Sequence, residues 1–232
     1  MNLLKFHNKI KGYTQNRQPG IEADMEPKPI AELEEYKAAG KLENKVALIT
    51  GGDSGIGRAI AILYAKEGAN VAIGYYDEHQ DAEDTVNRLQ EMGVKAKAYA
   101  HDLKDEKQSQ KLIKDVINDF GGLNILVNNG GVQFPRDHFE DITPQQVKES
   151  FMTNIFGMMF LSQAAVPHLK EGDAIINTTS VTAYRGSGHL IDYSSTKGAI
   201  VLFTRSLATT LMEKSIRVNA VAPGPIYTPL IP

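Results

Sequence analysis

The sequence predicts an α/β fold in which a parallel sheet carries helices on both faces, and three observations support this. From Val46 onward, short apolar runs alternate with helix-length amphipathic segments, which is the pattern of successive βαβ units. A glycine-rich turn, TGGDSGIG at 50–57, lies between the first apolar run and the first helical segment. With 232 residues, the chain is long enough for one large domain with a full core.

The elements follow in order. Residues 1–44 differ from the rest: NRQPGIEADMEPKPIAELEEYKAAGKLENK mixes proline, glycine and charge, with one helical pattern through Ile30, Leu33 and Tyr36. This stretch reads as an arm with a short helix, ahead of a domain at 45–232. The strands are KVALIT (45–50), NVAIGYY (70–76), KAKAYA (95–100), NILVNN (124–129), DAIINTTS (173–180) and IRVNAVA (216–222). Helices are expected at about 56–67, 79–92, 105–120, 144–169 and 192–214. The last two contain FMTNIFGMMFLSQAAVPHL and GAIVLFTRSLATTLM, apolar around much of their circumference. Such helices are either buried on all sides within the monomer or face a second copy. The assembly expected is a homotetramer built through these two helices.

The net charge is -3 and there is no basic stripe, so nucleic acid and acidic membrane surfaces are excluded as partners. Cysteine is absent, which excludes disulfides, thiolate catalysis and cysteine-bound metal, and suits a reducing cytoplasm. MNLLKFHNKIKGY lacks an apolar run with a cleavage site, and no stretch offers about 18 apolar residues in a row, so a soluble cytoplasmic protein is expected. His138 and His189 have no metal-ligand spacing with carboxylates, and no metal is expected.

In the turn, Gly51 permits the tight bend, Gly55 lets backbone approach a pyrophosphate, and Gly57 allows close helix–sheet packing. The helix N-terminus adds amide donors and a positive dipole end. Three residues separate the first two glycines, and here the sequence resembles the short-chain dehydrogenase/reductase family, whose TGxxxGIG it reproduces. NNGG (128–131) resembles the family's NNAG with Gly130 in place of alanine; Asp102 in HDL and PGPI with Thr228 also fall where the family has contacts. The resemblance runs from about Lys45 to the last residue.

It implies a Rossmann-type doubly wound sheet of strand order 3-2-1-4-5-6 and a bound NAD or NADP. The cofactor residues it implies are Gly51, Asp53, Ser54, Gly55, Ile56 and Gly57 in the turn, and Tyr75, Tyr76, Asp102, Leu103, Asn128 and Gly130 after the next strands. Pro223, Gly224, Ile226 and Thr228 complete the set with Tyr193 and Lys197. The position expected to hold the acid for the ribose 2′-hydroxyl falls on Tyr75, with Asp77 two residues beyond, and no base stands at Ser54 or Tyr76. Neither NAD nor NADP is selected by these residues.

DYSSTKGAI (192–200) places Tyr193 and Lys197 one helical turn apart, with Cβ atoms roughly 5–6 Å from each other. A free phenol has a pKa of about 10 and is a poor acid or base near neutrality. A positive charge within about 4–6 Å favours the phenolate, so Lys197 is expected to lower the Tyr193 pKa. Small Ser194, Ser195 and Gly198 leave room for a ligand. The resemblance adds Ser180 as the residue that holds the substrate oxygen, and Asn154 as support for a water that relays protons from Lys197. It also implies that Lys197 holds the cofactor ribose. Gln133 and His189 are expected to touch substrate beside Ser180 and Tyr193.

Family members continue for several tens of residues past the point where this chain stops, through a substrate-covering segment, a helix and a seventh strand. The chain is expected to lack that strand, either as a fragment or with an unprotected sheet edge. The arm resembles that of bacterial general stress-type oxidoreductases and is expected to pack on the domain or on a neighbouring subunit. The function expected is NAD(P)-dependent interconversion of an alcohol and a carbonyl. The alternative is a dinucleotide-binding redox-sensing or scaffold protein with little catalysis.

Overall fold

The computed structural model describes residues 10, 12 and 14–231; the reading of MNLLKFHNKIKGY as free of a leader falls largely outside the described residues. Six parallel strands form one sheet: β1 (Val46–Thr50), β2 (Asn70–Tyr75), β3 (Ala96–Ala100), β4 (Ile125–Asn128), β5 (Ala174–Thr178) and β6 (Arg217–Val221). Their order is β3-β2-β1-β4-β5-β6, as expected. β1 pairs with β2 through Leu48↔Ala72 and with β4 through Leu48↔Leu126. The chain reverses its winding direction between β1 and β4, which opens a crevice at the carboxyl ends of those strands.

Strand alternation divides the core into two faces. Leu48, Ala72, Leu126 and Ile175 point to one side. There they meet α3 (Glu106–Phe120) and α5 (Gly157–Ala165) through Leu112, Val116 and Leu161. Ala47, Ile49, Val71, Ile73 and Val127 point to the other. They meet α1 (Gly55–Lys66) and α2 (His79–Glu91) through Ala61, Ala65, Ala82 and Leu89. Local signals place the helix ends: the Asp105 side chain caps Lys107 N and Gln108 N, and Gly121 at φ 83 stops α3. Thr143 caps Gln146 N, and Pro144 opens α4 (Pro144–Phe151).

The helix expected at 144–169 is interrupted. A π-helical turn, Met152–Phe156, separates α4 from α5, and a 3-10 turn at Val166–His168 ends the run at Pro167. The cause is a side chain: Asn154 Oδ1 accepts from Val132 N at 2.8 Å and its Nδ2 donates to Val132 O at 2.9 Å. Such turns mark places where a helix yields to a local bonding demand. A short helix, α6 (Thr182–Arg185), precedes α7 (Ile191–Leu211) and was not expected from the sequence.

The helical pattern through Ile30, Leu33 and Tyr36 forms a turn instead. Pro27 and Pro29 stand just before it, and the neighbouring domain takes its backbone groups. Lys66 Nζ donates to Leu33 O at 2.9 Å, and the Glu67 carboxylate accepts from Ala39 N at 3.1 Å, from Lys41 N at 2.8 Å and from the Tyr36 hydroxyl. Local propensity loses to these longer-range bonds. Within the described arm the helical segment is a 3-10 turn at Glu22–Asp24.

A Cβ on Gly57 would stand 1.8 Å from Gly51 O and 2.8 Å from Asn129 Nδ2. The contacted atom is backbone in a bend, so relief requires the turn to move. Gly57→Ala is expected to destabilise the fold by about 3 kcal/mol, measured as a lowered denaturant midpoint; an unchanged midpoint would show the turn to be pliable.

Candidate functional site

At the carboxyl ends of the strands lies a cleft of about 300 Å³. The glycine turn forms its floor. Gly51 adopts φ 60 and packs with its Cβ position 3.0 Å from Gly130 Cα. Gly55 adopts φ 52 against Thr228. Gly57 lies below the cleft, under Gly51, and its part is packing. Ser54 is the N-cap of α1 but makes no side-chain cap bond, and the first turn of α1 has no acid. With Ile56, Ser54 brings the helix N-terminus to the cleft wall. Amides at a helix start attract phosphate; the Glu22 carboxylate already accepts from Gly55 N at 2.6 Å, so a pyrophosphate here would meet the amides beyond that one. Asp53 is buried beside it, and burial pushes its carboxyl up to about 6, aided by the charges of Asp81 and Glu22.

Tyr75, Tyr76, Asp102 and Leu103 line the next part of the cleft, as expected. Sequence reasoning missed two neighbours. His101 is buried, and burial holds its imidazole down at about 4, hence neutral near pH 7. Lys104 Nζ stands 5.8 Å from the centre of the Tyr76 ring, 3.7 Å from Asp102 Oδ2 and 2.8 Å from Glu149 Oε1. The HDLK run carried both residues, but only their position beside Tyr76 marks them. Asn128 does not reach the cleft: its Nδ2 bonds Ser162 Oγ at 3.0 Å and Asn177 Oδ1 at 2.9 Å beneath it. Strand alternation turns Asn128 inward, and Asn129 and Gly130 form the wall instead. Pro223, Gly224, Ile226 and Thr228 line the far rim.

At the other end, α7 brings Tyr193 and Lys197 to the cleft beside Ser180. Lys197 Nζ lies 5.3 Å from the Tyr193 ring centre and donates to Thr178 O at 2.8 Å. Ser180 Oγ accepts from Thr182 N at 3.1 Å, which orients the hydroxyl at the end of β5. The two side chains converge, yet the expected lowering of the phenol pKa is absent. Burial pushes Tyr193 up, opposed by its hydrogen bond with Ser180. Burial also pushes Lys197 down to about 8. The ammonium lies over the ring, 5.3 Å from its centre, and desolvation dominates both groups in the protein alone.

Asn154 is fully buried behind the cleft. Besides Val132, its Nδ2 donates to Thr196 Oγ1 at 3.1 Å, so its side-chain amide is taken up by the chain and holds the 131–132 loop beside Lys197. Gln133 lines the cleft, with Nε2 donating to Leu230 O at 2.9 Å. His189 lies outside the cleft lining, its ring 71% exposed and 3.6 Å from Asp137 Oδ1. The loop before α7 turns it outward, and Arg185, Ser187 and Leu190 face the cleft instead.

The buried ammonium makes stability depend on pH. The folded pKa of Lys197 is about 8 against an ordinary 10.5. Between those values the unfolded chain binds more protons, so this group's penalty is full below pH 8 and fades as pH rises toward 10.5. In the cofactor-free protein, unfolding free energy is expected to gain about 3 kcal/mol from this group across that window. Urea melts of Lys197→Met should lack that gain; parallel pH dependence in both proteins would refute it.

Residues 45–231 match the family described as short chain dehydrogenase. General stress protein 39 of Bacillus subtilis (strain 168) is 51% identical over 230 residues, covering 99% of this chain and 80% of that protein. The chloroplastic NADPH-dependent aldehyde reductase 1 of Arabidopsis thaliana is 47% identical over 224 residues, covering 94% of this chain and 78% of that one. A short chain dehydrogenase from Burkholderia cenocepacia J2315 in complex with NADP superposes with TM-score 0.77 at 36% identity, covering 79% of this chain and 75% of its own. One from Mycobacterium paratuberculosis bound to NAD gives 0.78 at 32%, covering 82% and 75%. With a parallel sheet of matching order and a glycine turn at the crevice, this chain belongs to the short-chain dehydrogenase/reductase family, and is an NAD(P)-dependent oxidoreductase.

Proposed function

We propose that the cleft interconverts an alcohol and a carbonyl, with Tyr193 exchanging a proton with the substrate oxygen. The observation that carries the reading is the meeting of Tyr193, Ser180 and Lys197 at one end of a cleft whose other end is a helix N-terminus. NAD or NADP, when bound, supplies or takes up the hydride and in its oxidised form adds a positive charge beside the phenol. That charge favours the phenolate that burial alone disfavours. The Ser180 hydroxyl holds the substrate oxygen and stabilises charge that develops there. Lys197, fixed on Thr178 O, keeps its ammonium within reach of the ribose hydroxyls and of Tyr193. Asn154 acts through the loop it holds.

The turn at Gly51, Asp53, Ser54, Gly55 and Ile56 would hold the phosphates, with Gly57 supporting it from below, and Tyr75, Tyr76, Asp102 and Leu103 would face the adenosine. Gly130, Pro223, Gly224, Ile226 and Thr228, which line the cleft, would flank the nicotinamide, and Gln133 would border the substrate. The aldehyde reductase among the relatives supports an aldehyde as substrate. The chain works as a homotetramer in the cytoplasm. Phe156 in the π turn, Met159 on α5 and Leu202 on α7 are exposed, a surface suited to a second copy. No helix among the described residues is long and apolar enough to cross a membrane.

Tyr193→Phe is expected to lower kcat on the order of 10³-fold while nucleotide binding stays the same. The assay is a panel of aldehydes, sugars and alcohols run with both cofactors. Full turnover by the variant would overturn the mechanism, and nucleotide binding without turnover by the native chain would favour a redox-sensing scaffold. Leu202→Glu is expected to yield species smaller than a tetramer in sedimentation, and an unchanged tetramer would remove this face from the interface.

A further inference from the structure

The N-terminal arm does more than cover the domain. Glu22 accepts from Gly55 N at 2.6 Å and from Arg58 Nη1 at 3.0 Å, while Asp81 accepts from Glu22 N at 2.8 Å and from Ala23 N at 3.2 Å. Met25 is buried at 1% exposure. These contacts tie the arm to the starts of α1 and α2. From there it runs along the mouth of the cleft: Gln18, Pro19 and Gly20 line it together with Tyr76 and Glu78. Gln18 Nε2 reaches Leu230 O at 3.2 Å on the opposite rim.

Arg17 stands just past the end of β2, behind the cleft lining, where it meets Asp77 and the cleft-lining Glu78. Its Nη2 bonds Asp77 Oδ1 and, at 3.0 Å, Glu78 Oε1, and its Nε donates to Pro19 O at 2.7 Å. In a doubly wound sheet the end of the second strand faces the adenosine ribose, where an acid reads a 2′-hydroxyl and an arginine accommodates a 2′-phosphate. Here both charges are present, but they come from parts of the chain far apart in sequence. Asp77 and Glu78 left unpaired would repel a 2′-phosphate. Burial, and then its hydrogen bond to Asp77, push the Glu78 carboxyl up; burial also raises Asp77, but the bonds it accepts from Glu78 and Arg17 outweigh this and hold that carboxyl below its ordinary value. The guanidinium offsets carboxylate charge at this corner, and its Nη1, which is not among the atoms bonded to Asp77, Glu78 or Pro19, can meet phosphate oxygens.

We propose that Arg17, delivered by the N-terminal arm, is the specificity-determining residue at the ribose 2′ end, and that by pairing Asp77 and Glu78 it lets the cleft accept a 2′-phosphate as well as a 2′-hydroxyl. The proposal rests on the dinucleotide reading of the cleft. The cation that pairs Asp77 and Glu78 lies outside residues 45–232, whereas Lys104, the cation beside Tyr76, is paired with Glu149 and Asp102.

Calorimetric binding to the full chain tests it without turnover, using adenosine 2′,5′-bisphosphate and 5′-AMP as probes. Arg17→Ala is expected to weaken the bisphosphate about tenfold or more and 5′-AMP by less than about threefold. Arg17→Lys should keep part of the preference, and Asp77→Asn added to Arg17→Ala should restore part of the lost affinity. Equal weakening of both probes would mean that Arg17 merely holds the arm, and would overturn the proposal, as would an unchanged ratio. Failure of both probes to bind the native chain would sink the dinucleotide reading along with it.

Discussion

A cation buried in the fold is the constraint on which the site depends. Lys197 is 3% exposed and its ammonium rests on the carbonyl of Thr178, the last residue of β5. Burying an ammonium is costly unless hydrogen bonds replace water, so the end of β5 and the first turns of α7 must keep a fixed relation. Thr179 strengthens it, donating its hydroxyl to Lys197 O at 2.7 Å. Tyr193, one turn earlier on the same face, and Ser180, two residues beyond Thr178, are thereby set at one mouth. The desolvation that depresses Lys197 and raises Tyr193 is a property of the protein alone. A cofactor that brings positive charge into the same space would shift both, coupling cofactor binding to the proton inventory of the site.

The helix facing this cation is shaped by a similar demand. Asn154 gives its side chain to both backbone groups of Val132 and to Thr196, and the helix answers with a π turn at that point. Gly157, one turn on, allows the backbone to approach Leu103 O, which would stand 2.6 Å from a Cβ. The loops after β3 and β4 are thus tied to the α4–α5 run. The cleft walls are held by backbone contacts and buried amides, leaving exposed side chains at the rim free to vary with substrate.

At the opposite end, the arm supplies what the sheet does not. Its carboxylate Glu22 engages an amide at the start of α1, and its guanidinium Arg17 joins two acids at the end of β2. The site is composite along the chain, assembled from residues near the start, the middle and the end of the described sequence.

Much of this was legible beforehand. Alternating apolar runs marked the six strands, because burial on both faces demands apolar residues whatever lies around them. The spacing of Tyr193 and Lys197 announced a shared face, since helical geometry is local, and the glycines at 50–57 announced a tight turn, since only glycine fits where backbone meets backbone. Long-range competition was not legible. Ile30, Leu33 and Tyr36 have helical spacing, yet Lys66 and Glu67 take their neighbours' backbone groups. His189 looked like a cleft residue until the loop turned it outward, and Asn128 until pleating turned it inward. The amino-acid sequence by itself determined the fold class and the shared face of Tyr193 and Lys197, since both rest on periodicity and short-range spacing. The tertiary structure alone decided the protonation balance of Tyr193 and Lys197 and the meeting of Arg17 with Asp77 and Glu78, because desolvation and pairing across sixty residues exist only once the chain has closed on itself.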